Sequence, residues 1–264
     1  MFQNSIDEAT LVIDIGNTNI TCGIYQNEAM TWFARFFSSA NRTADEYYGL
    51  LNSLLKDISL GTIDAVAMAS VVPELTRIWQ HLFQKYSAAR VWEINALCDL
   101  GLSYKVADPS FIGGDLIANA YGAWKKYSRD CIVIDLGTAT TVEFVTQNGS
   151  FEGTAITPGL KTGADQLFQK AALLSQIEIV PPTSLLGTNT RDALLAGIVR
   201  GHAFMLESFV REIESQYSDR ADILTVATGG IADLVKPLVP SIDIVDKTLT
   251  LDGIHLAYQH LKNK

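Results

Sequence analysis

The sequence predicts an α/β protein made by duplication of one domain. Three observations carry this expectation. First, two β-rich hairpin segments, Leu11 to Tyr25 and Cys131 to Val145, open on the same Asp-x-Gly pattern, IDIGNTNI and IDLGTATT, which superimposes Asp14 on Asp135 and Gly16 on Gly137. Second, strand-length apolar runs alternate with segments of helical periodicity after each hairpin, the pattern of an α/β fold. Third, each half ends in a strand–loop unit, Met68-Ala69-Ser70 and Val226-Ala227-Thr228. Two copies indicate two lobes rather than a solenoid. With no Ser/Gly/Pro-rich linker to mark it, the boundary is placed near Gly113 to Asn119, giving lobes of residues 1–116 and 117–264.

The elements follow in order. Leu11 to Tyr25 reads as a hairpin around a Gly-Asn turn. A polar segment follows, and then Thr43 and Glu46 form a capping box before Leu50, Leu51, Leu54, Leu55 and Ile58 at helical spacing. Ala65 to Val72 reads as a buried strand, Pro73 opens a helix through Tyr86, and Val91 to Ile94 is another strand. Gly113-Gly114 lead into a helix from Asp115 to Tyr127, with Ile117, Ala120, Tyr121 and Trp124 on one face. Asp192 to Tyr217 reads as a long helix with a stripe of Leu195, Ile198, Met205, Phe209 and Ile213, a pattern more typical of core than of interface. Ile223 to Ala227 is a strand broken by Thr228-Gly229-Gly230, and Leu251 to Lys264 closes the chain as a helix.

Composition narrows the function classes. The 264 residues are 48% hydrophobic and 19% charged, as in ordinary globular proteins. A net charge of −9 repels phosphate backbones and makes nucleic acid a poor partner. It does not exclude a nucleotide, because backbone N–H groups and cations make local electropositive sites. Three cysteines, Cys22, Cys98 and Cys131, lack any C-x-x-C spacing, and the four histidines form no H-E-x-x-H pair. No signal peptide is visible in Met1 to Thr10, and no apolar run is expected to reach membrane-spanning length. A cytoplasmic protein with no membrane partner is expected.

The chemistry concentrates in the two Asp turns. Strand–Asp–x–Gly places a carboxylate at the end of a buried strand, facing a turn whose glycine admits close backbone approach. Asn17, Thr18 and Asn19 in one copy, and Thr138, Thr140 and Thr141 in the other, offer donors to phosphate oxygens. The carboxylates would act through a cation held against the phosphates. A plain hairpin with a polar turn is the alternative for either copy alone; two matched copies favour a nucleotide site. Thr228-Gly229-Gly230 suits either a tight β–α turn or a flat surface for adenosine. Asp115, at a helix start, suits either an N-cap or a general base kept ionised by the helix dipole.

Several motifs occur together in a known order: DIGNTN at Asp14, SVVPELT at Ser70, YKVADPSFIGGD from Tyr104, DLGTATT at Asp135, TPG at Thr157, GTNT at Gly187 and ATGG at Ala227. In this order the chain resembles the type III pantothenate kinases over nearly its whole length. The resemblance implies two ribonuclease-H-like lobes of the actin-like ATPase fold, with mixed sheets flanked by helices and the active site between the lobes, and a homodimer. It implies phosphorylation of pantothenate by ATP to 4′-phosphopantothenate, the first step toward coenzyme A. Asp14, Ile15, Gly16, Asn17, Thr18, Asn19, Ile20 and Thr21 would line the ATP phosphates, with Asp14 near Mg²⁺, and Thr138 would also contact the nucleotide. Asp135 would hold a monovalent cation, K⁺ or NH₄⁺. Tyr104, Gly113, Gly114, Asp115, Leu116 and Thr190 would surround pantothenate, with Asp115 as general base.

Two positions depart from that family pattern. Leu116 stands where an arginine normally follows the aspartate, and Glu152 stands where glycine is usual. Losing a charge-assisted pair costs about 1.5–3 kcal/mol, unless Lys105 or Lys161 supplies the charge. The alternative readings are a kinase of the same fold acting on another small hydroxylated substrate, or a nucleotide-binding regulatory homologue without turnover.

Overall fold

The computed structural model describes residues 8–26, 28–56, 58–171, 173–220 and 222–264. They divide into two compact units. The first comprises the described residues of Met1–Gly101, Ala107–Gly122 and Leu249–Lys264; the second comprises Leu102–Val106 and those of Ala123–Thr248. Neither unit is one stretch of chain, unlike the contiguous lobes the sequence suggests. The reason is packing across long sequence distance. Helix α8 (Leu249–Lys262) lies against strands β1 (Thr10–Ile15), β2 (Asn19–Gln26) and β4 (Ala65–Ser70) of the first unit. There the Tyr25 hydroxyl donates to Asp252 Oδ1 at 2.5 Å, and the Tyr25 ring stacks on His255 at 4.2 Å.

The first unit holds a five-stranded sheet of order β3-β2-β1-β4-β5, with β3 at Ala29–Phe37 and β5 at Arg90–Glu93. β1, β2 and β3 form an antiparallel meander; β4 runs parallel to β1, and β5 parallel to β4. Its core lies on the face of Leu11, Ile13, Ile15, Ile20, Cys22 and Phe36, packed with Tyr47, Leu51, Trp79 and Phe83. These last come from helices α1 (Ala44–Leu55) and α2 (Pro73–Tyr86). The capping box at α1 is formed: Glu46 N donates to Thr43 Oγ1 at 3.3 Å, and Thr43 N donates to Glu46 Oε2 at 2.7 Å. Such a cap stabilises a helix by about 1 kcal/mol. Helix α3 runs over Gly114–Tyr127.

The second unit repeats the scheme. Its sheet has the order β11-β10-β7-β8-β9-β6, where β6 is Ser103–Tyr104, β7 Cys131–Leu136, β8 Ala139–Val145, β9 Ser150–Pro158, β10 Leu224–Thr228 and β11 Ile244–Val245. Reading β9-β8-β7-β10-β11 against β3-β2-β1-β4-β5 gives the same connectivity, an antiparallel three-strand meander followed by parallel neighbours. The duplication expected from the two hairpins is therefore present strand by strand.

Helices α4 (Leu160–Lys170), α5 (Thr190–Leu195), α6 (Gly201–Gln216) and α7 (Ala232–Val235) complete this unit. The long helix expected from Asp192 begins at Thr190, capped by Asn189, and passes through a π turn at Ala196–Arg200. That wider turn rotates the helix away from a strict 3.6-residue repeat. The fully buried stripe is accordingly Leu195, Val199, Ala203, Leu206 and Val210, while Ile198, Met205, Phe209 and Ile213 pack at its margin. Contrary to the sequence expectation, Thr190–Gln216 is long and apolar enough to cross a membrane by length and composition. Here its buried stripe belongs to the core of the second unit, beside Ile132, Ile134, Val142 and Phe144.

Candidate active site

The first half-site is built on the Asp14 turn. Asp14 lies at the end of β1, partly buried, and accepts from Thr21 Oγ1 at 3.3 Å. Asn17, Thr18 and Asn19 are exposed at the turn. Ile15 and Ile20 are fully buried in the core, so among the expected phosphate-lining residues these two offer backbone only. Gly16 N donates to Asn19 O at 3.0 Å and closes the turn. Ser38, just after β3, fixes it from outside: its N donates to Thr18 O at 2.9 Å and its Oγ to Gly16 O at 2.6 Å. No motif in the sequence marked Ser38.

Register then links this turn to the Asp115 segment. Asp14 pairs with Thr21 on β2 and with Ala69 on β4, so all three project to one face of the sheet. The start of α3 sits on that row. A Cβ at Gly114 would stand 2.9 Å from Ile94 O and 3.2 Å from both Ala69 Cβ and Ser70 N. Only glycine lets the helix start approach the sheet this closely, and Asp115 is thereby brought beside the row of Asp14. The paired glycines of the sequence thus act through close packing.

Asp115 falls inside the first turn of α3, which begins at Gly114, rather than at its cap. Leu116 N donates to Asp115 Oδ1 at 2.8 Å. The helix-dipole argument expects a lowered pKa, but burial outweighs the backbone N–H groups and raises it above the ordinary carboxylate range. A carboxyl raised in this way is a better proton acceptor than a solvated one. Leu116 itself is 5% exposed and packed in the interior.

The second half-site is built on the Asp135 turn. It is one residue shorter: Asp135 pairs with Thr141, six positions on, whereas Asp14 pairs with Thr21, seven on. Thr141 is therefore the counterpart of Thr21. Its Oγ1 donates to Glu143 Oε1 at 3.4 Å. Thr140, expected among the phosphate donors, is fully buried, and its Oγ1 lies 3.1 Å from His202 Nε2, on the core side of the sheet. Thr138 is exposed, and its carbonyl accepts from Gly159 N at 3.0 Å and Thr162 Oγ1 at 2.7 Å. Gly159 follows β9 as Ser38 follows β3, so both turns are clamped from the same place.

Gly229, after β10, has φ +93°, and a Cβ there would stand 2.7 Å from Asp135 Oδ1 and 2.6 Å from Leu136 O. The Thr228-Gly229-Gly230 break thus lies directly against the Asp135 carboxylate. Among the described residues no group of three or more His, Cys, Asp or Glu side chains forms a metal cluster. A cation at the Asp14 turn would rest on Asp14 and on ligand oxygens, which suits Mg²⁺ bound with phosphate and water.

The remaining expected residues lie in the second unit. Tyr104 on β6 is partly buried with its ring 6.2 Å from Phe151. Thr190 is exposed at the start of α5. Of the two departures from the family pattern, Glu152 engages Lys105. Lys105 Nζ pairs with Glu152 Oε2 at 2.8 Å, and the Tyr217 hydroxyl donates to the same oxygen at 3.1 Å. Glu152, its side chain 3% exposed, therefore occupies Lys105. Lys105 is not a free replacement for the arginine missing at Leu116.

Two ribonuclease-H-like sheets, each carrying an Asp-x-Gly turn, define a protein of the actin-like ATPase fold. Solved structures agree on the fold. A Campylobacter jejuni protein described as a conserved Baf family transcriptional activator matches with TM-score 0.63 and 18% identity, covering 96% of this chain and 100% of that one. A ROK family glucokinase from Streptomyces griseus matches with TM-score 0.57 and 15% identity, covering 95% and 99%. The family model described as type III pantothenate kinase matches residues 10–212. A type III pantothenate kinase of Roseiflexus castenholzii is 41% identical over 94% of this chain and 98% of its own length. That of Thermomicrobium roseum is 36% identical over 95% and 97%. The chain belongs to the type III pantothenate kinase family.

Proposed function

We propose that this chain transfers the γ-phosphoryl group of ATP to the primary hydroxyl of pantothenate, giving 4′-phosphopantothenate, the first step of coenzyme A synthesis. One observation carries the reading beyond family membership. The row Thr21–Asp14–Ala69 and the seat of Gly114 on Ala69 bring a phosphate-type turn and a raised-pKa carboxyl to one face of one sheet. A phosphoryl transfer needs that pairing, because catalysis there is positioning plus charge stabilisation.

In this reading the backbone of residues 16–19 and the exposed side chains of Asn17, Thr18 and Asn19 hold the phosphates. Asp14 would hold Mg²⁺, which would supply stabilisation of the charge that develops on the transferring group. Asp115, fixed on one side by Leu116 N, accepts the proton of the attacking hydroxyl and orients that oxygen in line. Tyr104 and Thr190 contact pantothenate. Thr138 contacts the nucleotide, and Asp135, with Thr141 and Thr228 beside it, would hold K⁺ or NH₄⁺. Lys161, exposed and without an ion pair among the described residues, is the remaining cation for the pantothenate carboxylate. A homodimer in the cytoplasm is the state the family resemblance supports.

The buried Leu116 and the occupied Lys105 favour one second reading, a kinase of this fold for another small hydroxylated acceptor. Phosphorus NMR of the product separates the two. With ATP, Mg²⁺, K⁺ and pantothenate, the first reading expects a phosphomonoester on pantothenate. ATP binding with no phosphorylated pantothenate would leave the second.

A further inference from the structure

The row that carries Asp14 extends one strand further. Thr21 pairs with Arg35 on β3, so Arg35, Thr21, Asp14 and Ala69 stand side by side and project to the same face. Neighbouring strands lie about 4.8 Å apart, which puts Arg35 roughly 10 Å from Asp14 along the row, with Thr21 between them. The next row on this face is Val12–Gly23–Phe33, and α8 covers its centre: Leu251 Cδ1 stands 3.4 Å from where a Gly23 Cβ would be. The cover stops there. Asp14 and Thr21 are partly exposed and Arg35 is exposed.

Arg35 is also uncommitted. Among the described residues its guanidinium has no ion pair and no hydrogen bond; it lies 5.9 Å from the Phe33 ring, on its own strand. Several other arginines are engaged, Arg129 with Asp222, Arg220 with Asp130, Arg191 with Asp192, and Arg42 on Phe37 O, while Arg77 and Arg211 stand on helices α2 and α6, off this row. The duplicated unit shows that the fold does not require a cation here, because the residue paired with Thr141 in the position of Arg35 is Ile156.

We propose that Arg35 binds the polyphosphate of the nucleotide, closing the Asp14 turn from the side opposite α3. The inference rests on the reading that this turn holds the nucleotide phosphates. A guanidinium offers a planar fork to two phosphate oxygens and stays charged at any working pH. In a chain of net charge −9, one uncommitted arginine beside the turn supplies the local positive charge that a polyanion needs. The Phe33 ring lies 5.9 Å from the guanidinium, and a cation held by Asp14 and the guanidinium would meet the same phosphates from two positions of the row.

The test is equilibrium binding of MgATP and of AMP, without pantothenate, to the full chain and to Arg35→Gln and Arg35→Lys. Loss of a charge-assisted phosphate contact predicts that Arg35→Gln raises the Kd of MgATP about 10- to 100-fold. AMP affinity and Tm should stay near wild type, and Arg35→Lys should recover part of the loss. Unchanged MgATP affinity in Arg35→Gln overturns the proposal. So does an equal loss for AMP, or a lowered Tm, since either marks a structural role. Failure of the pantothenate reading shows separately: a wild-type chain that binds MgATP through Arg35 yet makes no phosphopantothenate keeps this inference and loses that one.

Discussion

In the first unit Asp14 stands in a row with Arg35, Thr21 and Ala69; in the second, Asp135 stands in the corresponding row with Ile156, Thr141 and Thr228. One scaffold has thus been finished in two ways. The first row puts a small residue beside its carboxylate and a cation one strand beyond Thr21, and the small residue admits the α3 helix start with Asp115. The second flanks its carboxylate with two threonine hydroxyls, with Ile156 beyond Thr141 and Gly229 pressed against the carboxylate. Hydroxyls and one carboxylate suit a weakly held monovalent ion, whereas a charged row suits phosphates and Mg²⁺. Duplication supplied the geometry, and matching positions carry different residues.

The largest expected effect breaks the first row at its acceptor end. Asp115→Asn removes the proposed proton acceptor and should lower kcat about 10²- to 10⁴-fold while MgATP still binds. The pH profile sharpens this. Because burial raises the Asp115 pKa, the acid limb of kcat/KM should lie above the ordinary carboxylate value and vanish in the variant. The sign for stability follows from the same shift. A raised folded-state pKa contributes stability at low pH that is lost as pH rises through it. At neutral pH the asparagine variant should therefore melt no lower than wild type.

Next in size are the paired substitutions of the two turns. Asp14→Asn should raise the Mg²⁺ concentration needed for half-maximal rate, by about tenfold or more, and leave the K⁺ requirement in place. Asp135→Asn should do the reverse. Identical responses of the two variants would erase the division of labour. Smaller effects are expected on folding. Leu116→Arg restores the family residue at a buried position and should destabilise by about 1–3 kcal/mol in thermal melts, outweighing any gain in substrate affinity. Gly229→Ala, at φ +93° and against Asp135, should cost about 1–3 kcal/mol and loosen cation dependence.

Much of this was legible in the chain. The repeated Asp-x-Gly hairpins announced the duplication, and the Thr43–Glu46 box and Pro73 located two helices, because caps and turns are written in local residue types. Other elements were not visible. Strand β3 reads as a polar connection because its exposed side carries Phe33 and Phe37 beside Arg35, which hides the alternation that marks a strand. Ser38, which follows it, and Arg35, the proposed phosphate contact, were missed with it. The one-residue difference between the turns is also hidden, since both strings begin alike and only strand pairing shows that Thr141 answers to Thr21. The unit boundary escaped because α8 returns to the first sheet from the far end of the chain. The raised pKa of Asp115 depends on burial, which sequence position does not reveal.

The central claim is that Asp115, carried onto the Asp14 row, drives phosphoryl transfer to pantothenate. The most direct measurement is ADP formation from ATP with Mg²⁺ and K⁺, with and without pantothenate, in wild type and Asp115→Asn. ADP release should depend on pantothenate in wild type and collapse in the variant. Pantothenate-independent release, or a variant that turns over like wild type, would contradict it.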